Sequence, residues 1–127
     1  MATKVGLPED DFFGFCFNKN LYSDRVKLCW TAKNLSGKTI NYYTVTLYFY
    51  NAVGDPAYDS ITDLSYKTIT YVGPVKPSDI LIIYGDVGYI PVCSKIVIGE
   101  ITLDYSDGTY DTGWYGYCTS NRNSAID

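Results

Sequence analysis

The stretch Arg25-Val26-Lys27-Leu28-Cys29-Trp30-Thr31-Ala32-Lys33 carries the clearest statement of fold in this chain. Its period is two. Val26, Leu28, Trp30 and Ala32 fall on one side, and Lys27, Cys29, Thr31 and Lys33 on the other. Lysines need water, so the first set faces a core and the segment is a half-buried antiparallel strand. The next segment, Ile40–Tyr50, repeats the device, with Tyr43, Val45, Leu47 and Phe49 opposed to Tyr42, Thr44, Thr46 and Tyr48.

Outward from these two strands, the same chemistry continues. Phe13, Phe15 and Phe17 alternate with Gly14 and Cys16 as a first strand, and residues 18–24 form a turn. Asn34-Leu35-Ser36-Gly37-Lys38 is a second turn, and Asn51-Ala52-Val53-Gly54-Asp55-Pro56 ends the long strand. Asn34 starts a glycosylation sequon, but it reads better as a turn residue. Residues 59–63 and 67–72 read as shorter strands, and Gly73-Pro74 followed by Lys76-Pro77-Ser78 as a break. Ile80-Leu81-Ile82-Ile83-Tyr84 is a continuous apolar run, expected of a strand buried on both faces, and 85–91 is a glycine-rich loop. Residues 94–105 and 109–117 pair through the turn Ser106-Asp107-Gly108, where Asp-Gly is a strong hairpin signal. Seven or eight short strands without a helical period predict an all-β fold, an antiparallel β-sandwich. It is a single domain over 12–118, with a lead-in at 1–11 and a flexible tail at 119–127.

The composition of the 127 residues agrees: 14 Tyr, 12 Thr, 11 Ile and 9 Val stand against 5 Ala, 8 Leu, 1 Met and 2 Glu. A helical bundle is excluded. A formal charge of −4 argues against a nucleic-acid partner, which needs clustered positive charge. No apolar run approaches the roughly 20 residues of a helical membrane span. The first residues, Met1-Ala2-Thr3-Lys4-Val5-Gly6, show no signal-peptide core. The chain is therefore either cytosolic at synthesis or an excised segment with an added Met.

Four cysteines, Cys16, Cys29, Cys93 and Cys118, form no C-x-x-C pair, so neither a zinc ribbon nor a thioredoxin-type motif can be drawn. Flanking turns pair Cys16 with Cys29 and Cys93 with Cys118 as two disulfides between neighbouring strands. Four buried thiols in a reducing compartment are the equal alternative.

Histidine is absent, which removes the ordinary general base and nucleophilic triads. Glu100 and Asp104 share a strand face about 13 Å apart, too far for a catalytic pair. No enzymatic activity and no cofactor are expected. Asp104, Asp107 and Asp111 gather near Gly108, but their spacing is not that of an EF-hand and Asp107-Gly108 serves the turn, so no metal is expected either. Tyrosine is left as the binding chemistry. Tyr42 and Tyr48 lie outward on the long strand, with Tyr89 and Tyr110 in or near loops, and exposed rings stack on sugars or anchor protein partners.

Two motifs add a resemblance. Trp30-Thr31-Ala32-Lys33-Asn34-Leu35-Ser36-Gly37-Lys38-Thr39-Ile40 and Val45 to Asp55, ending Tyr50-Asn51-Ala52-Val53-Gly54-Asp55, are similar to small bacterial Ig-like domains of the FxLYD type. Gly73-Pro74-Val75 and the run from Ile101 to Thr109 fit the same pattern, so the likeness covers residues 25–115. It implies an Ig-like module of a bacterial surface or secreted protein, extracellular, with no catalytic residue. The Phe-rich first strand, the cysteines and the tail depart from it. The expected function is a binding or structural module presenting sheet faces and loops to a protein partner. The alternatives are a carbohydrate-binding module using exposed tyrosines, or a self-associating subunit of a filament or virion.

Overall fold

The computed structural model describes residues 14–20 and 22–120, with backbone alone at 14–15 and 115–120. Seven strands follow in chain order: β1 Gly14–Lys19, β2 Arg25–Lys33, β3 Ile40–Tyr50, β4 Tyr66–Val75, β5 Ile80–Tyr89, β6 Lys95–Tyr105 and β7 Tyr110–Ser120. They form two antiparallel sheets, ordered β1-β2-β5 and β4-β3-β6-β7. The fold is an Ig-like β-sandwich.

The alternation that separates lysine from tryptophan in β2 places the core. Val26, Leu28, Trp30 and Ala32 are buried against Tyr43, Val45, Leu47 and Phe49 of the facing sheet and Ile96, Ile98, Ile101 and Leu103 beside them. The indole N–H of Trp30 cannot be buried without a partner, and it donates to the Tyr43 hydroxyl at 3.3 Å. The two rings meet edge to face with centroids 6.1 Å apart, tying one sheet to the other.

Asn34, just past β2, makes the second tie. Its Nδ2 donates to the carbonyls of Lys38 (2.7 Å) and Val75 (2.9 Å), while its Oδ1 accepts from the N–H and hydroxyl of Ser36. Its backbone bonds Asp79 and Ser78. With 1% of its surface exposed, Asn34 is the turn residue its sequence context suggests, and its amide is not open to a glycan.

Four expectations change. Residues 59–63 are turn, not strand, because the Asp59 carboxylate accepts the N–H of Ile61 in an Asx turn. Pro74 does not break the chain. It lies within β4, which is an edge strand and can hold a residue without an N–H. The glycine-rich 85–91 segment is mostly strand: β5 runs to Tyr89, with a register shift opposite Val26 and Lys27 and Gly85 at φ 149°. The run Ile80-Leu81-Ile82-Ile83-Tyr84 is not buried on both faces. β5 is an edge strand, and Ile80, Ile82 and Tyr84 are 60%, 58% and 68% exposed. At the C-terminal end, β7 extends to Ser120, two residues into the expected tail. The remainder of that tail and the lead-in lie outside the described residues.

Among the described residues the structure carries no disulfide. Cys16 and Cys29 face one another across β1 and β2, as the turn between them suggests, yet both are free thiols. Cys93 is a free, buried thiol. The register sets Cys118 opposite Val97, whereas Cys93 lies in the turn before β6 begins, so the hairpin does not pair the two. Burial pushes the Cys93 thiol up to about 12, so it stays protonated at neutral pH. A small alkylating reagent on the native protein is expected to label Cys16 and Cys29 and to spare Cys93 until denaturant is added. Peptide mass spectrometry reads this directly, and equal labelling of all three would contradict the burial of Cys93.

Candidate functional site

The outer face of the four-stranded sheet holds an ordered field of side chains. Register places four threonines in one row across it: Thr70, Thr44, Thr102 and Thr112. Thr68 and Thr46 begin the next row. Hydroxyl pairs Thr44–Thr70, Thr46–Thr68 and Thr102–Thr112 lie at 3.3, 3.2 and 2.9 Å. Threonine suits these positions because its branched Cβ fits the pleat and its hydroxyl bonds across to the next strand.

Aromatic rings bound this field at both ends. At one end Tyr42 sits opposite Asp104, and Asp104 opposite Tyr110, with both rings exposed. At the other end Tyr66, Tyr48 and Trp114 form a contiguous platform. The Tyr48 ring lies 6.1 Å from that of Tyr66 and 5.4 Å from that of Trp114, tilted 39° and 43°. The two ends are separated by six residues of β3, about 20 Å.

The platform owes its shape to a glycine. Register shifts between Val45 and Leu47 on β3, and between Ile98 and Glu100 on β6, enclose Gly99 as an irregular position. Tyr48 of β3 and Trp114 of β7 lie on strands that flank β6, and they meet only because nothing projects from Gly99 between them. A Cβ there would run into Tyr48 Cε2 and would stand 2.9 Å from Trp114 Cζ3.

The charges within this field are Glu100, opposite Trp114, and Asp104, between Tyr42 and Tyr110. Both are hydrogen-bond acceptors. The face thus combines flat apolar rings, hydroxyls and carboxylates, with Lys95 as a cation one row beyond the platform, opposite Tyr50.

Three of the tyrosines singled out from the sequence, Tyr42, Tyr48 and Tyr110, share this face. Tyr89 does not: it ends β5 on the other sheet, opposite Arg25. Tyr66 and Trp114 complete the platform and were not among the expected binding residues. The glycine inside the apolar β6 pattern was their available signal, since it marks close approach of neighbouring groups.

The aspartates near Gly108 serve the hairpin. Asp107 accepts from the N–H (2.9 Å) and hydroxyl of Thr109 and pairs with Lys38 at 3.1 Å, contacts that hold its carboxyl down at about 2. Asp111 accepts from the Tyr105 hydroxyl. Among the described residues no three His, Cys, Asp or Glu side chains gather in a way that could hold a metal ion. Nor is any helix there long and apolar enough to cross a membrane. Comparison with protein families, curated proteins and solved structures returned no match.

Proposed function

We propose that this chain is a non-enzymatic binding module whose four-stranded face holds a glycan. The observation that supports it is the row Tyr66, Tyr48 and Trp114, three adjoining rings on one sheet face, with Tyr66 and Trp114 exposed and Tyr48 half-buried between them. Sugar rings present flat C–H faces that stack on such aromatics, and their hydroxyls donate to carboxylates and exchange hydrogen bonds with threonine. Glu100 and Asp104 favour a neutral or cationic glycan over an anionic one, because like charge is disfavoured. With rings at both ends of a field about 20 Å long, the ligand is an oligosaccharide rather than a single sugar. The setting we propose, a bacterial surface or secreted protein, is supported by the resemblance to Ig-like domains of the FxLYD type.

Native gel electrophoresis through soluble neutral polysaccharides tests this. At least one polysaccharide should retard the protein, and Trp114→Ala should abolish most of the retardation, a tenfold or greater loss corresponding to about 1.4 kcal/mol. Because Trp114 is exposed, the variant should fold as the parent does. No retardation by any member of a broad glycan panel, or retention unaffected by Trp114→Ala, would overturn the assignment. A protein pulled down through the same face, and lost with the same substitution, would move the ligand class to protein.

A further inference from the structure

We propose that the chain forms a two-fold dimer through β5. In it, β5 of one copy pairs antiparallel with β5 of the second about Ile82, joining the two three-stranded sheets into one of six strands.

The edge of β5 is bare over only part of its length. β5 bonds β2 on one side. Toward its C-terminal end the 57–65 loop closes over the other side: the N–H of Ser60 donates to the carbonyl of Tyr89 at 2.8 Å, and the Asp59 carboxylate fills the space over Gly88. Among the described residues that cover stops short of Ile80-Leu81-Ile82-Ile83-Tyr84. Proteins blunt such edges with lysine, proline or inward charge, and this stretch has none of them. β4, the edge on the same open side of the sandwich, carries both Lys67 and Pro74. One edge is defended and the other is not.

Self-pairing suits the undefended stretch. Antiparallel pairing about Ile82 sets Ile80 opposite Tyr84 of the second copy, Ile82 opposite Ile82, and Leu81 opposite Ile83. Outward apolar groups meet outward ones and inward groups meet inward ones, whereas a one-residue slip would break that match. The nearest charge in the strand, Asp86, falls opposite Ser78 of the second copy and meets no like charge across the pair. The three most exposed apolar side chains of β5 all gain a neighbour. The same pairing reaches the open cleft between the sheets, lined by Leu28, Ile69 and Ile83 from within and Lys67 at its rim. Leu81 and Ile83 of the second copy lie on the side that faces this cleft.

Such a dimer is isologous and closes on itself, so it stops at two copies. It leaves the Tyr66, Tyr48 and Trp114 face of each copy uncovered, because that face belongs to the other sheet. Two such faces on one particle would raise avidity for a polymer without any new contact. The dimer stands whether or not the ligand is a glycan.

Sedimentation equilibrium over a concentration series tests the pairing. The parent should reach twice its monomer mass, and Ile82→Lys and Tyr84→Lys should each sediment as monomers with an unchanged far-ultraviolet circular dichroism spectrum. Both sites are solvent-facing, so neither change enters the core. Thr112→Lys, on the opposite sheet, should remain dimeric. A monomer at every concentration up to the solubility limit would overturn the proposal. So would a dimer that either folded β5 variant leaves intact.

Discussion

Asn34→Asp is expected to destabilise the domain by roughly 3–5 kcal/mol, the range for a buried charge left without a partner. The change swaps one Nδ2 for one oxygen, and the geometry makes that swap costly. The carbonyls of Lys38 and Val75 now receive hydrogen bonds from Nδ2 at 2.7 and 2.9 Å; in the variant they would face a carboxylate. Of the two lysines nearest in sequence, Lys38 is already committed to Asp107 and Thr109, and Lys33 lies on the outward face of β2. For a domain of this size the loss corresponds to a fall in Tm of roughly 10–20 °C. The pH dependence separates this cause from simple loss of packing. Burial would raise the carboxyl of the variant above its unfolded value of about 4, so the defect should be full at pH 7 and shrink as pH falls toward 4. Asn51→Asp is the matched control. Asn51 also caps a turn, accepting from Val53 and Asp55 at 3.0 and 2.9 Å, but it acts there through its oxygen, which aspartate keeps. That change should cost less than about 1 kcal/mol. Equal losses at Asn34 and Asn51, by thermal melts across pH, would show that Asn34 is not the buried tie between the sheets.

Legibility in the sequence follows from what kind of interaction sets each feature. β2 and β3 could be read because burial on one face imposes a period of two on consecutive residues, and that imprint is local. The hairpin at Asp107-Gly108 could be read because a tight turn needs a positive φ, which Gly108 adopts at 88°. β5 was misread for a physical reason. A continuous run of Ile and Leu reports β-propensity on both faces, but whether another layer packs on the outer face is a matter of tertiary arrangement, which has no local signature. Gly85 and Gly88 looked like loop for the same reason: pairing with β2, with a register shift at Val26 and Lys27, overrides their turn tendency. The cysteines divide along this line too. Cys16 and Cys29 flank a short turn and come out opposite each other, while Cys93 lies before β6 begins, where the register of the hairpin no longer governs it. Tyr48 could be picked from its place on β3. Its partners could not, because Tyr66 and Trp114 reach it from two other strands, across an irregularity that no single strand displays.

That irregularity supports a prediction in which function and stability part company. Gly99→Ala should weaken glycan retention by tenfold or more while leaving thermal stability within about 1 kcal/mol of the parent. Two opposing effects act on stability. The added methyl displaces the Tyr48 and Trp114 rings, at a cost of about 0.5–1.5 kcal/mol in lost ring contact. Replacing glycine within a strand recovers roughly 0.5–1 kcal/mol of backbone entropy. Neither ring is fixed in the core, so each has solvent to swing into. Binding has no such compensation, since a stacking surface requires adjoining rings and the methyl wedges them apart. The displacement has a signature that needs no ligand. The protein has two tryptophans; Trp30 is buried in the core against Tyr43 and is not among the groups that an added Cβ at Gly99 would meet, so a shift in near-ultraviolet circular dichroism between Gly99→Ala and its parent reports Trp114 and Tyr48. A changed spectrum with retention intact would mean that the platform is not where the glycan sits. An unchanged spectrum with retention intact would mean that Gly99 does not hold the rings together. Retention lost together with several kcal/mol of stability would mark Gly99 as a fold determinant, and its glycine as a requirement of the bulge rather than of the face.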